Sequence, residues 1–129
     1  MNNKTRTIEV LTEALNTLSS PEKWTKCAMA RDQHHDTISA INSGAVCWCL
    51  DGALYKAAWE LGYSPTIEAN ITRDDAKTVK EIFKDIEDAF YPQLKTRSRY
   101  SHINFNDHKH TKYENIIELI KNTLKQLNE

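Results

Sequence analysis

The chain has 129 residues, the length of one domain, and an ordinary globular composition with 40% hydrophobic and 27% charged residues. Its net charge of −1 offers no bulk basicity for binding by counterion release, which makes nucleic acid an unexpected partner. The apolar runs are too short to cross a bilayer, and an odd number of cysteines, three, favours a reducing cytoplasm over a disulfide framework. We therefore expect a single cytoplasmic domain, residues 1–129, that does not enter a membrane.

The N-terminal third of the chain predicts a helix followed by a small β element. An amphipathic helix is predicted from about 5 to 18, because apolar residues recur there at spacings of three and four: Ile8, Leu11, Leu15 and Leu18. Ser20 and Pro21 are typical of a short capped turn. The alternating segment 24–32 predicts a strand, the polar segment 32–36 predicts a turn, and Thr37–Ile38 predicts a second strand that pairs back.

The stretch 43–62 is predicted to be the central helix, because it is apolar on nearly all sides. We expect Asn42 or Ser43 to cap its start. Gly52 is expected to allow the close approach of another backbone, and Gly62 to end the helix in a left-handed conformation. The second face of the helix carries three large rings that other parts of the domain should cover, with a homodimer interface as the alternative: Trp48, Tyr55 and Trp59.

The C-terminal half of the chain predicts two further helices with a short strand between them. Thr72 is expected to cap a helix that continues to a stop signal at Tyr91–Pro92. Segment 100–107 alternates and predicts a strand, and segment 111–114 forms a capping box before a final amphipathic helix. The sequence thus predicts a mainly α (α+β) fold, with about four helices around helix 43–62 and a small two- or three-stranded β element.

Motifs in two parts of the chain resemble those of a known family. WTKCAMARD followed by AVCWCLDGAL is similar to a pattern of Trp, a small residue, Ala-Arg-Asp, and then Ala-Val-x-Trp-Cys-x-x-Gly-Ala-Leu. FNDHKHTKYENIIELI is similar to a closing pattern of an aromatic residue, Asn-Asp, a short turn and Thr before an amphipathic helix. The family is domain-of-unknown-function 6197. The chain departs from its pattern at Cys27, where Gly is usual, and at His34–His35, where a Gly-containing turn is usual. The family is seen in actinobacterial and bacteriophage genomes, and the resemblance implies a fold and a set of motif positions, not an activity.

Cysteine and histidine side chains raise an enzymatic alternative. Cys49 with His102 or Asp107 could form a nucleophilic relay, which would make the protein a small Cys/His- or metal-dependent hydrolase. Against this, Cys47 and Cys49 would point to different faces of the predicted helix, and neither Cys-x-x-Cys nor His-Glu-x-x-His occurs in the sequence. We therefore favour a protein without a metal, a cofactor or catalytic residues.

Polar pairs that follow the two predicted strands form the candidate ligand site. Arg31–Asp32 follows the first strand, and Asn106–Asp107 follows the second, just before the N-terminus of the final helix, where backbone N–H groups favour an anion. Arg31 provides a planar fork suited to phosphate or carboxylate, while an Arg31–Asp107 ion pair with a purely scaffolding role is the competing interpretation. The predicted ligand-binding residues are Trp24, Lys26, Arg31, Asp32, Asn106, Asp107 and Thr111.

These features favour a non-enzymatic binding or regulatory protein of phage or mobile-element type. We expect the protein to bind a host protein or a small anionic ligand such as a nucleotide, with counter-defence as its possible role.

Overall fold

The fold is helical with one small sheet, as a computed structural model describes it for residues 3–63, 79–96, 98 and 100–129. Five α-helices occur in this part of the chain: α1 (Asn3–Thr17), α2 (Leu50–Glu60), α3 (Val79–Leu94), α4 (Ser101–Asp107) and α5 (Tyr113–Leu127). Three two-residue strands pair in the antiparallel order β2-β1-β3: β1 (Ala30–Arg31), β2 (Thr37–Ile38) and β3 (Cys47–Trp48). The predicted mainly α fold with a small β element is therefore confirmed.

Helix α2 lies at the centre of the hydrophobic core, as the sequence predicts. Its fully buried residues are Leu50, Ala53, Leu54, Ala57 and Ala58. They belong to one apolar cluster with residues of the surrounding helices, which include Val10, Leu11 and Ala14 of α1, Ile82, Ile86 and Phe90 of α3, and Ile116, Leu119 and Ile120 of α5. A helix with so little polar surface is stable only when other elements cover it from several directions.

The predicted start of the central helix is wrong. Helix α2 begins at Leu50 instead of near 43, because Cys47–Trp48 pairs with Ala30–Arg31 as strand β3. The expected cap Asn42 serves a local turn instead, where its side-chain oxygen accepts a hydrogen bond from the Gly44 amide at 2.8 Å. Cys49 is the actual N-cap. A short apolar run fits a buried strand as well as a helix, so only pairing with β1 decides between them.

Both glycines of the central stretch have the predicted roles. A Cβ atom added to Gly52 would lie 2.0 Å from the backbone oxygen of Met29, which confirms the close approach of another backbone. Gly62 has φ of 90° and ends the helix in the left-handed region. The amide of Tyr63 then donates to the Ala58 carbonyl at 2.7 Å.

The three rings of the central stretch are covered unequally. Trp48 is buried in β3 instead of lying on the helix, and its indole N–H donates to the Ala40 carbonyl at 2.9 Å. Tyr55 is partly buried and packs against the core. Trp59 is 48% exposed, so the expectation that the same domain covers all three rings is wrong for this residue.

The predicted hairpin is present but shorter than expected. Strands β1 and β2 pair with Ala30 opposite Ile38 and Arg31 opposite Thr37, across a turn in which the Asp32 amide donates to the Asp36 carbonyl. Before β1, the expected strand from residue 24 is interrupted at Cys27, whose φ of 63° lies in the left-handed region. Trp24 contributes one isolated parallel bridge to Trp48.

The predicted strand 100–107 is wrong, because Ser101–Asp107 forms helix α4. The alternation of Ile103 and Phe105 suggested a strand, yet both side chains are only partly buried. The buried side chains one turn apart are the polar His102 and Asn106, which face the start of α2. Polar residues that are buried by hydrogen bonding do not contribute to a hydrophobic pattern, so the pattern predicts a strand where the chain forms a helix.

Two helix boundaries also differ from the predictions. Helix α3 continues past the expected stop at Tyr91–Pro92 to Leu94, with Pro92 in its last turn. Helix α5 begins at Tyr113, and the Lys112 amide donates to the Asn115 side chain at 2.8 Å, so the capping box lies one residue later than predicted. The predicted cap at Thr72 lies outside the described residues.

Candidate functional site

Asn106 is the anchor of the predicted polar corner. The side chain is fully buried, and its oxygen accepts hydrogen bonds from the Trp24 indole N–H at 2.6 Å and the Leu50 amide at 3.0 Å. Its amide group donates to the Thr25 carbonyl at 3.2 Å and to the Asp107 carboxylate at 3.0 Å. Both lone pairs and both protons of the side chain are thus used. Asn106 therefore joins helix α4, the first turn of α2 and the segment that precedes β1.

Lys26 and Trp24 are held next to each other at the surface by this network. Asp107 also accepts a hydrogen bond from the Cys27 amide at 2.8 Å, which fixes the left-handed turn after Lys26. The Lys26 ammonium donates to the His108 carbonyl at 2.6 Å and lies 5.5 Å from the centre of a Trp24 ring. Two of its three protons remain available for a ligand. Both side chains are partly exposed, so a ligand could contact them.

The loop between α4 and α5 adds two lysines and two histidines next to this pair. The His108 Nδ1 atom accepts a hydrogen bond from the His110 amide at 3.1 Å, and the two rings lie 5.4 Å apart. Thr111 is buried and its amide donates to the His108 carbonyl at 3.0 Å, which closes the loop. We call the resulting patch the basic surface, and it consists of Trp24, Lys26, His108, Lys109, His110 and Lys112.

Arg31 has a scaffolding role in this arrangement. Its Nε atom donates to the Thr25 hydroxyl at 3.1 Å, and its two terminal nitrogens donate to the carbonyls of Lys26 at 3.1 Å and His35 at 3.3 Å. The ion pair between Arg31 and Asp107, which was the competing interpretation of this corner, is not formed between these two described residues, and Asp107 accepts hydrogen bonds from Asn106 and Cys27 instead. Every nitrogen of the guanidinium is thus used to hold the hairpin against the segment before it.

Asp32 does not join the Asn106 network. Its carboxylate accepts hydrogen bonds from the backbone amides of Asp36 at 3.0 Å and His34 at 2.8 Å, and these bonds lower the pKa of the carboxyl group. The side chain lines a cavity of about 570 Å³ between the hairpin turn and the loop before β3. The predicted site is therefore divided: Asp32 lies in the turn, whereas Trp24, Lys26, Asn106 and Asp107 lie together.

A second contact between α4 and α2 is not among the features that the sequence predicts. The Nε2 atom of His102 lies 2.6 Å from the Asp51 carboxylate, in the first turn of α2. His102 is 2% exposed, its Nδ1 atom has no hydrogen-bond partner, and its ring meets the edge of the Phe90 ring at 5.8 Å. The spacing of His102 and Asn106, four apart, would have revealed this contact if the segment had been assigned as a helix.

Cys49 is poorly suited to act as a nucleophile. Its sulfur accepts a hydrogen bond from the Gly52 amide at 3.2 Å, and burial, reinforced by the negative charges of Asp51 and Asp107, raises the pKa of the thiol to about 11. Reactive cysteines have a lowered pKa, since the thiolate is the attacking form. In the ranges that the structure describes, no three His, Cys, Asp or Glu side chains come together as metal ligands.

A family model described as a family of unknown function, DUF6197, matches residues 2–126. No curated protein and no solved structure is significantly similar to the chain. None of the helices described has both the length and the apolar character that a membrane span requires.

Proposed function

The chain belongs to the DUF6197 family of unknown function, and we propose that it is a non-enzymatic protein that binds a small anionic ligand on the basic surface. The observation that carries this proposal is the fixed position of Lys26 beside Trp24, which the buried Asn106 holds from behind. A side chain that is already ordered loses little conformational entropy when a ligand binds. Fixed groups of this kind are thus suited to recognition.

The charges of the surface favour an anion. Lys26 keeps two free N–H donors, and Lys109 and Lys112 lie in the same exposed loop as two histidines. The one carboxylate inside the network, Asp107, already accepts hydrogen bonds from Asn106 and Cys27. A ligand phosphate or carboxylate could therefore form charge-assisted hydrogen bonds with Lys26.

A nucleotide is the anionic ligand that this surface fits best. The Lys26 ammonium can hold the phosphate, and the Trp24 ring within its reach offers an aromatic face against which the ribose can pack. A host protein with an acidic segment is the competing partner, since it would present carboxylates to the same lysines.

The enzymatic alternative receives less support. A Cys/His hydrolase needs an accessible thiolate beside a histidine, whereas Cys49 is buried with a raised pKa and uses its sulfur as a helix cap. His102, the buried histidine of the core, contacts Asp51. We accordingly assign no catalytic residue.

The cellular setting forms part of the proposal. The three cysteines are free, which suits the cytoplasm. The family resemblance suggests a phage or mobile element, in which a nucleotide-binding protein could act in counter-defence by sequestering a signalling nucleotide.

The test is the binding of adenosine 5′-monophosphate and inorganic phosphate, measured by isothermal titration calorimetry. Replacing Lys26 with Gln should weaken the binding of both by about tenfold or more, because one charge-assisted hydrogen bond is lost. The matched control is Lys125→Gln, which removes an exposed charge from the far end of α5 and should leave binding unchanged. Equal affinities for the wild type and Lys26→Gln would contradict the proposal.

A further inference from the structure

Two neighbouring cavities lie beside the basic surface, between the end of α3, α4 and α5. Their volumes are about 250 Å³ and 230 Å³, Leu94 and Phe105 line both of them, and we call the two together the groove. Together they fall in the range of about 300–1,000 Å³ that is usual for small-ligand sites. Leu94, Phe105 and Leu119 provide apolar walls.

The two ends of the groove differ in charge. His108 lines one end, and its carbonyl oxygen holds the Lys26 ammonium at 2.6 Å. Glu118 lines the other end, together with Asn115. An anionic group is thus attracted to the His108 end and repelled from the Glu118 end. This asymmetry fixes the orientation of a ligand that carries an anion at one end.

The Glu118 end presents one hydrogen-bond acceptor next to one donor. The Asn115 oxygen is used by the Lys112 amide, which leaves the amide group of Asn115 as a donor. Glu118 lies three residues later on the same helix, so its carboxylate is a neighbouring acceptor. Adenine and cytosine carry the complementary pair, an amino group next to an unprotonated ring nitrogen. Hypoxanthine and uracil present the reverse pair.

From these contacts we infer that the groove binds the base of an adenine or cytosine nucleotide, with the amino group at Glu118 and the phosphate at Lys26. This inference rests on the proposed function, because Lys26 and the basic surface hold the phosphate. The planar base lies between Leu94 and Phe105, where apolar walls and an aromatic ring favour a flat heterocycle.

The test uses a pair of ligands that differ at one position of the base. Adenosine 5′-monophosphate should bind about tenfold more tightly than inosine 5′-monophosphate, because the amino group donates to a charged acceptor. Glu118→Gln should reduce this preference to about threefold or less, since a neutral acceptor forms a weaker bond. Glu114→Gln is the matched control, because Glu114 lies one turn earlier on α5 and, unlike Glu118, does not line the groove. It should keep the full preference.

Ribose 5-phosphate and the Lys26→Gln variant separate the two proposals. If both nucleotides and ribose 5-phosphate bind equally well, and all three depend on Lys26, the phosphate site stands and the base-binding groove is wrong. If adenosine 5′-monophosphate keeps its preference and affinity in Lys26→Gln, the groove binds the base and the proposed phosphate site is wrong. If none of the three compounds binds, both proposals are overturned.

Discussion

Two polar side chains of helix α4, one turn apart, meet the same turn of α2 in different ways. Asn106 uses every hydrogen-bonding group it has, and it joins three segments of the chain. His102 makes one hydrogen bond to Asp51 and leaves its Nδ1 atom without a partner. The comparison teaches that burial alone does not identify an anchor. A buried polar group stabilises the fold when its partners are complete, and it costs free energy when they are not.

The largest expected effect is that of removing the anchor. Asn106→Ala should lower the free energy of unfolding by about 3–5 kcal/mol, because the Trp24 indole, the Leu50 amide and the Thr25 carbonyl would lose a buried partner. Urea denaturation measures this change. The control is Asn104→Ala on the exposed side of the same helix, which should change stability by about 0.5 kcal/mol or less. Equal effects of the two variants would remove the distinction between anchor and surface.

The second prediction concerns the backbone that approaches the first turn of α2. Gly52→Ala should destabilise the protein by about 3 kcal/mol, since the new Cβ atom would lie 2.0 Å from the Met29 oxygen and force the two segments apart. Gly44→Ala is the matched control, because its Cβ would meet the Asn42 side chain at 3.3 Å in an exposed loop. Thermal unfolding of the two variants tests this prediction. If Gly52→Ala melts with the wild type, the close approach is not required.

A smaller effect should appear at alkaline pH. The pKa of the Cys49 thiol is raised from 9.0 to about 11 in the folded protein, chiefly by burial, so the unfolded chain loses this proton first. The Cys49 thiol therefore does not change the free energy of unfolding below about pH 9. Its contribution should lower that free energy by up to about 2 kcal/mol as the pH rises to 11. Unfolding free energies of wild type and Cys49→Ala across this range provide the test. The free energy of unfolding should fall less steeply with pH in Cys49→Ala than in the wild type. Identical slopes for the two proteins would assign the effect to other groups.

The smallest effect is expected at the incomplete contact. His102→Phe removes the unpartnered Nδ1 atom and keeps a ring against Phe90, while Asp51 is exposed enough to be hydrated. Stability should therefore change by no more than about 1 kcal/mol. Calorimetric melting of the His102→Phe and Asn106→Ala variants compares their two losses of stability directly. A loss as large as that of Asn106→Ala would show that His102 is a second anchor.

The sequence was informative where structure follows from apolar spacing or from glycine. Helix α1 is present at Asn3–Thr17, within two residues of the predicted 5–18. The hairpin turn at 32–36 and the roles of Gly52 and Gly62 agree with their predictions. These features depend on local chemistry, which a single sequence contains.

The sequence was misleading where a long-range partner decides the local structure. The apolar residues 45–49 fit a helix until Ala30–Arg31 pairs with Cys47–Trp48, and α4 buries polar side chains that a hydrophobic pattern ignores. The candidate site was partly predicted for the same reason. Asn106 and Asp107 were selected as neighbours in sequence, but the partners of Arg31 are backbone carbonyls that no side-chain pattern reveals.

The two turns that flank β1 contain residues with positive φ, Cys27 at 63° and His35 at 67°. Glycine adopts this conformation without steric cost. The glycines that the family resemblance implies near these positions would therefore suit the backbone of both turns.

The most direct test of the anion site is to remove the negative charge that lies beside it. Asp107→Asn keeps an oxygen that can accept from the Cys27 amide, yet it removes one negative charge next to Lys26 and His108. The affinity for adenosine 5′-monophosphate, measured by calorimetry at low salt, should rise by about threefold or more, because repulsion of the phosphate is lost. Glu129→Gln at the exposed C-terminal end of the chain changes the net charge equally and should have no effect. An unchanged or weaker affinity in Asp107→Asn, with its stability retained, would show that the anion does not bind at this surface.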